Sequence, residues 1–361
     1  MKNRQMLEYT DYKNYPQLWA KRLNISNEAI QLYLDSEIID PHTVSYVWTR
    51  VLNYNMNKRH SSKPFGAGFL SQVDFPRCLE ANMSGIVWDI TTNPLRTAKT
   101  KLEITQNNIK AILSDINKNS DKFKFVSSYK DYQEALKAGK VASWISIQGG
   151  QAIDNDLDNL DKVPEIHRIT LVHFTKSKIG ASNFDIRNKN VGLSEFGKAF
   201  VEKMVEKKVL VDLSHINRKG FFGALDIMPE DIAPIVTHTG VNGVCKSWRN
   251  IDDDQIKAIA ARNGTIGIIY YPKYISNKTI GKTSCDDIVR HIEHVIKIAG
   301  EDYVTLGSDY DGMITLPTDM PDITYQPILV QKMLDRKWQA ERIKKILALN
   351  FLRVVKSVRP D

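Results

Sequence analysis

A chain of 361 residues with 42% hydrophobic and 25% charged composition can bury a large core, and it is too mixed to be disordered or fibrous. Its formal charge of +8 comes from Lys and Arg spread along the chain beside Asp and Glu, as in DRKWQAERIKK; without a long basic run or a known motif, this argues against nucleic-acid binding. The three cysteines, Cys78, Cys245 and Cys285, are far apart and form no Cys-x-x-Cys pair, which argues against a disulfide framework and a structural zinc site.

Residues 1–25 are polar and aromatic and are expected to form a surface arm, one that is able to pack on a second copy of the chain in a homodimer. Neither a signal-peptide core, a membrane-length apolar run nor a hydrophobic C-terminal tail is visible, so a cytoplasmic protein without membrane contact is expected. Ser26 is a good N-cap for a helix running through NEAIQLYLDS. Beyond it, short apolar runs alternate with amphipathic helical stretches. The runs are EIID (37–40), GIVWDI (85–90), VASWISI (141–147), RITLV (168–172), VLVDL (209–213), PIVT (234–237), TIGIIY (265–270) and YVTLG (303–307). Eight strand candidates separated by helices predict parallel β with crossover helices, in the α/β class. The number eight favours a single (β/α)8 TIM-type barrel over 26–361, with a doubly wound open sheet as the alternative.

In a barrel the active site forms at the carboxyl ends of the strands, and the polar residues of this chain gather there. Asp40 and His42 follow the first run, Asp89 lies in the second, and Gln148 follows the third. His173, His215 and His238 follow the fourth, fifth and sixth, and Asp309 and Asp311 the eighth. Four histidines at four strand ends point to a shared site. Other candidates read as structural. His60 is expected on an exposed loop, His291 and His294 on an outer helix, and His167 at the opposite end of the barrel. Asp311 is expected to shape the turn before Gly312.

Several segments resemble the membrane (renal) dipeptidase family of the amidohydrolase superfamily: VDFPRCLEANMSGIVWD, SIQGGQAID, ITLVHFTKSKIGASN, GLSEFGKAFVEKMVEKKVLVDLSH, THTGVNGVCKSWRNIDDDQI and GSDYDG. The similarity runs from about residue 38 to 355. It implies that His42, His215, His238 and Asp309 are metal ligands and that Asp309 also handles protons. It implies that His173 contacts the substrate and polarises the scissile carbonyl, and that Arg249 holds the substrate carboxylate. Two positions depart from the family pattern. His42-Thr43-Val44 stands where the family carries His-x-Asp, and Gln148 stands where it carries the carboxylate that bridges two metals.

Neither Val44 nor Gln148 supplies the charge that a pair of cations needs, so the expected cofactor is one zinc ion or none. Gln148 and Asp89 are doubtful further ligands; Asp89 either swings in as a replacement carboxylate or pairs with an arginine. Three functions follow. The first is a dipeptidase-like hydrolase of a dipeptide or small amino-acid-derived amide bearing a free carboxylate. The second is a non-hydrolytic isomerase or lyase on the same scaffold. The third is an inactive pseudo-dipeptidase that binds such a ligand.

Overall fold

The computed structural model describes residues 7–63, 66–91, 98–153, 156–174, 177–279 and 281–361; residues 1–6 of the expected arm lie outside this set. Among the described residues nine parallel strands form one sheet: β1 (Ile39–Thr43), β2 (Gly85–Thr91), β3 (Phe123–Phe125), β4 (Val141–Gln148), β5 (Ile166–Thr170), β6 (Leu210–Asp212), β7 (Ile235–Thr239), β8 (Thr265–Ile268) and β9 (Val304–Leu306). The order is β1-β2-β4-β5-β6-β7-β8-β9, with β3 pairing β4 off the path. Parallel neighbours require crossover connections, and helices supply them.

The path returns on itself. Val44 N donates to Tyr310 O at 2.8 Å and Asp309 N to His42 O at 3.2 Å, with a parallel bridge between Thr43 and Tyr310. The eight strands of the path therefore make a nearly closed barrel with flanking helices, a (β/α)8 arrangement rather than an open sheet.

All eight apolar runs became barrel strands, with two differences. β1 continues through Pro41 and His42 to Thr43, every residue buried, where an apolar-run criterion stops at Asp40. β3 was not predicted, because FKF is three residues long and follows directly on the helix Ala98–Lys118.

Close strand packing at one point depends on glycine. A Cβ on Gly267 of β8 or on Gly307 after β9 would sit 1.9 or 1.7 Å from the carbonyl oxygen of Thr237 in β7. Only residues without a side chain let these backbones approach so closely. This packing holds the segment of β7 that carries His238.

Ser26 Oγ accepts from Ala29 N at 3.1 Å and caps the helix Asn27–Leu34, as its sequence position predicts. Ahead of it, the helix Pro16–Leu23 buries Trp19 completely; its indole donates to Thr324 O at 3.1 Å, while Tyr15 and Leu18 stay exposed.

Candidate metal and substrate site

The strand ends bring the predicted residues together. His42 lies in β1, Gln148 ends β4, His238 lies in β7, and His215 and Asp309 follow β6 and β9. The Nε2 atoms of His42, His215 and His238 lie 3.2, 3.4 and 3.4 Å from Nε2 of Gln148. His215 and His238 are 2.8 Å apart through Nε2, and the rings of His42 and His238 stack at 3.7 Å. Asp309 Oδ1 is 3.3 Å from His42 Nε2. His42, His238 and Asp309 offer donor atoms that all lie within 4.8 Å of one another, a set able to hold a metal ion.

Hydrogen-bond logic fixes the direction in which two of these rings present a lone pair. Asp212 is acceptor-only when ionised, so the Thr237 hydroxyl, 2.7 Å away, gives its proton to Asp212 Oδ2. Its oxygen then accepts from Nδ1–H of His238 at 2.9 Å, which leaves the His238 Nε2 lone pair facing the site. The short His215–His238 contact follows, with His215 donating through Nε2. Its Nδ1 is then bare, and that buried atom has no hydrogen-bond partner. A cation bound by both rings takes the place of this proton, because ligands must be deprotonated.

Behind the histidines lies a network that the strand reading missed. Arg168, fully buried in β5, donates to Asp89 at 2.7 Å and to Asp212 at 2.7 Å. Asp89 in turn lies 2.9 Å from Nδ1 of His42 and accepts from Ser146 Oγ at 2.5 Å. Asp89 thus sits on the edge of His42 away from Gln148 and Asp309, paired to an arginine. A buried charge needs a partner, so Arg168 in RITLV and Asp212 in VLVDL could have been matched from sequence alone as an ion pair.

These contacts set the protonation states. Burial alone raises Asp89, but the charges of Arg168 and His42 overcome it and bring its carboxyl down to about 2. Burial lowers His42, yet Asp89 and the hydrogen bond to Asp309 hold it up at about 9. In the metal-free arrangement His42 is therefore an imidazolium between two carboxylates. Burial, together with the nearby positive charges, depresses His215 and His238 well below the usual imidazole range. Burial raises Asp309 against the pull of His42. Burial and the charges of His42 and Arg249 lower His173 to about 3, so it is neutral.

A cavity of about 410 Å³ opens above this cluster, with Gln148, His173, His215 and Asp309 on its floor and Val44 beside them. Arg249 is 2% exposed, and its Nη2 donates to His238 O at 2.6 Å. Among the described residues no ion pair includes it. Trp248 stands 47% exposed next to it, edge-on to Phe184 and Tyr274.

The remaining candidates lie elsewhere. Both ring nitrogens of His291 are used, by Val241 N at 2.9 Å and Ile275 O at 3.0 Å. His294 pairs with Asp253 at 2.7 Å. His167, inside β5, binds Ile145 O at 3.1 Å. His60 is held by Asn55 O at 2.9 Å and stacks on Tyr54. Asp311 lines the cavity but is engaged by Ser45 Oγ and the amides of Gln72 and Val73.

The backbone at the site is unusual. Phe174, His215, Asp309, Asp311 and Met313 all line the cavity and all have positive φ, between 38° and 66°. Such strain in non-glycine residues is characteristic of functional sites.

Solved structures share the fold. A metallopeptidase described as a dipeptidase of family M19 superposes with a TM-score of 0.80 at 21% identity, over 90% of this chain and 99% of its own. A metallopeptidase from Rhodobacter sphaeroides, solved with a phosphinate mimic of the dipeptide L-Ala-D-Ala, gives 0.79 at 20% identity over 90% and 99%. The probable dipeptidase PvdM from Pseudomonas aeruginosa gives 0.80 at 16% identity over 96% and 100%. The family model for membrane dipeptidase matches residues 26–360. With the barrel, the convergent histidines and this match over nearly its whole length, the chain belongs to the membrane dipeptidase family, Peptidase family M19.

Proposed function

We propose that the protein is a dipeptidase-like hydrolase of a dipeptide or small amino-acid-derived amide, working with one metal ion rather than two. The observation that carries the reading is Arg249: a buried guanidinium beside the histidine cluster, in no ion pair among the described residues. A buried charge without a partner is costly, and a ligand carboxylate would complete it in fork geometry. The dipeptide mimic bound by the Rhodobacter sphaeroides relative supports the same ligand class.

Nitrogen donors with one carboxylate suit zinc, and His42, His238 and Asp309, whose donor atoms converge, would hold it together with His215, 2.8 Å from His238. Val44 and Gln148 remove the charge that a second cation needs, and Asp89, held by Arg168, does not face the ligand set. A bound ion would supply Lewis acidity and a more acidic water. Neutral His173 donates a hydrogen bond to the scissile carbonyl. Asp309, with its pKa raised by burial, takes the proton of the attacking water and passes it to the leaving amine. The reading includes a cytoplasmic location, supported by three cysteines that are all free thiols. A homodimer through the exposed Tyr15 and Leu18 also belongs to it.

One observation favours a second reading. The Gln148 amide fills the centre of the three histidines. This suits metal-free chemistry of isomerase or lyase type, or a pseudo-dipeptidase that only binds. Elemental analysis of protein purified without chelators, paired with a dipeptide hydrolysis screen, separates the readings. About one metal per chain, lost with activity in His238→Ala, supports the hydrolase. A folded protein with no metal and no hydrolysis rejects it.

A further inference from the structure

The cavity has two unlike sides. Its floor is polar, but the wall rising from β1 is apolar. Val44, Val47 and Val51 follow one another at spacings of three and four, Val44 just before the helix Tyr46–Val51 and Val47 and Val51 within it, and all three line the cavity. The same helix buries Tyr46 and Trp48 in the protein and turns Val47, Arg50 and Val51 to the cavity. Val51 is 63% exposed, while Arg50 donates to Thr91 O at 2.8 Å.

Two further residues complete the wall. Phe174 is 45% exposed and Met313 is 71% exposed, and both line the cavity. Both stand in the left-handed backbone region, at φ 38° and 60°. Apart from the cavity residues, the non-glycine positions with positive φ among the described residues are Asn, Lys or Ser. A bulky apolar residue in that conformation is costly; Phe174 packs on His173 and Phe184 yet leaves nearly half its surface open, and Met313 is more exposed still.

The charged groups of the cavity are engaged within the protein, Arg50 by Thr91 O among them, which leaves little for a charged ligand side chain to pair with. Asp309 faces His42, and Asp311 is engaged by Ser45, Gln72 and Val73.

We propose that the wall formed by Val44, Val47, Val51, Phe174 and Met313 receives an uncharged apolar side chain of the ligand, and that Phe174 and Met313 determine this specificity. The substrate class is then a carboxylate-bearing amide with an aliphatic or aromatic side chain. The amide rests on the hydrolase reading above; the apolar group rests on the cavity alone. The volume is within the range of small-molecule sites.

The test is calorimetric binding to the protein as purified, with hydrolysis measured in parallel. The probes are Ala-Phe, Phe-Ala, Ala-Leu and Leu-Ala against Ala-Glu, Glu-Ala, Ala-Lys and Lys-Ala. Two carboxylates without an amide, 4-phenylbutanoate and glutarate, complete the set. The best apolar probe should bind at least about tenfold more tightly than its charged counterparts. Phe174→Ser with Met313→Ser should bring that ratio towards one, while Leu136→Ser, an exposed leucine outside the cavity, should leave it intact. If 4-phenylbutanoate is preferred over glutarate and no dipeptide is cut, the wall stands and the hydrolase reading falls. If dipeptides are cut without apolar preference, or the double variant keeps the preference, the wall proposal is overturned and the hydrolase stands. If no probe binds, both fall.

Discussion

Oδ2 of Asp89 lies 2.9 Å from Nδ1 of His42, and the same carboxylate receives Arg168 at 2.7 Å. A charge is thereby supplied to the rear edge of a ring whose front edge faces Gln148 and Asp309. In metal-free protein this holds the His42 imidazolium up to about 9, against an ordinary value of 6.5. A raised folded-state pKa stabilises the fold fully below pH 6.5 and loses that contribution as pH rises through 9. Urea denaturation of the metal-free protein should therefore show stability falling across that window, by on the order of 3 kcal/mol. Asp89→Asn should flatten the slope; a slope unchanged in the variant means that another group titrates there.

Placing carboxylates at positions 44 and 148 tests the proposed ligand count. Gln148→Glu combined with Val44→Asp should raise bound metal from one per chain towards two, read by elemental analysis. Val44 is buried with its amide on Tyr310 O, so the new side chain has a fixed backbone to project from. Metal content that stays the same would show that carboxylates at these two positions do not assemble a second cation site.

Arg249→Ala should weaken binding of carboxylate ligands by tenfold to a hundredfold, on the scale of a charge-assisted hydrogen bond of about 1.5–3 kcal/mol. Arg249→Lys should recover only part, since a point charge does not reproduce the planar fork. Equal binding of acetylated amino acids and their amides by the native protein would remove the carboxylate from the argument.

Arg168 joins Asp89 and Asp212 inside the barrel. Removing it leaves two buried carboxylates uncompensated, so Arg168→Met should cost about 3–5 kcal/mol in thermal or urea unfolding. Arg168→Met with Asp89→Asn should cost less than the single change. Additive losses would mean that the two side chains do not interact.

Acid sensitivity should have a separate source in His291. Burial lowers this ring to about 4, and both its nitrogens are hydrogen-bonded in the neutral form. A depressed folded-state pKa gives stability that is complete above pH 6.5 and is lost as pH falls towards 4. His291→Gln should be less stable at pH 7 and show a shallower loss between pH 6.5 and 4. A parallel loss in both proteins would assign the acid transition to other groups.

Much of this was legible in the chain itself. Period and apolar runs located all eight barrel strands, because parallel strands buried on both faces must be continuously apolar. Strand ends located His42, Gln148, His215, His238 and Asp309, which the structure brings together. β1 was cut short because Pro41 and His42 break an apolar run although both are buried. Arg168 and Asp212 were read as strand residues, since a strand pattern records hydrophobicity and does not use the rule that buried opposite charges pair, even across the neighbouring strands β5 and β6. The cavity-facing valines of the helix Tyr46–Val51 were equally hidden. Valines at that spacing look like core until the structure shows one face opening on a cavity.

The left-handed residues that line the cavity bear on what the site costs the fold. Glycine or asparagine at Phe174, His215, Asp309, Asp311 or Met313 would relieve strain on the order of 1 kcal/mol at each position. Stabilising changes are easy to find where nothing opposes them, yet this chain carries the costly residue at all five positions. Relieving them one at a time should therefore stabilise the fold at the expense of the cavity they shape.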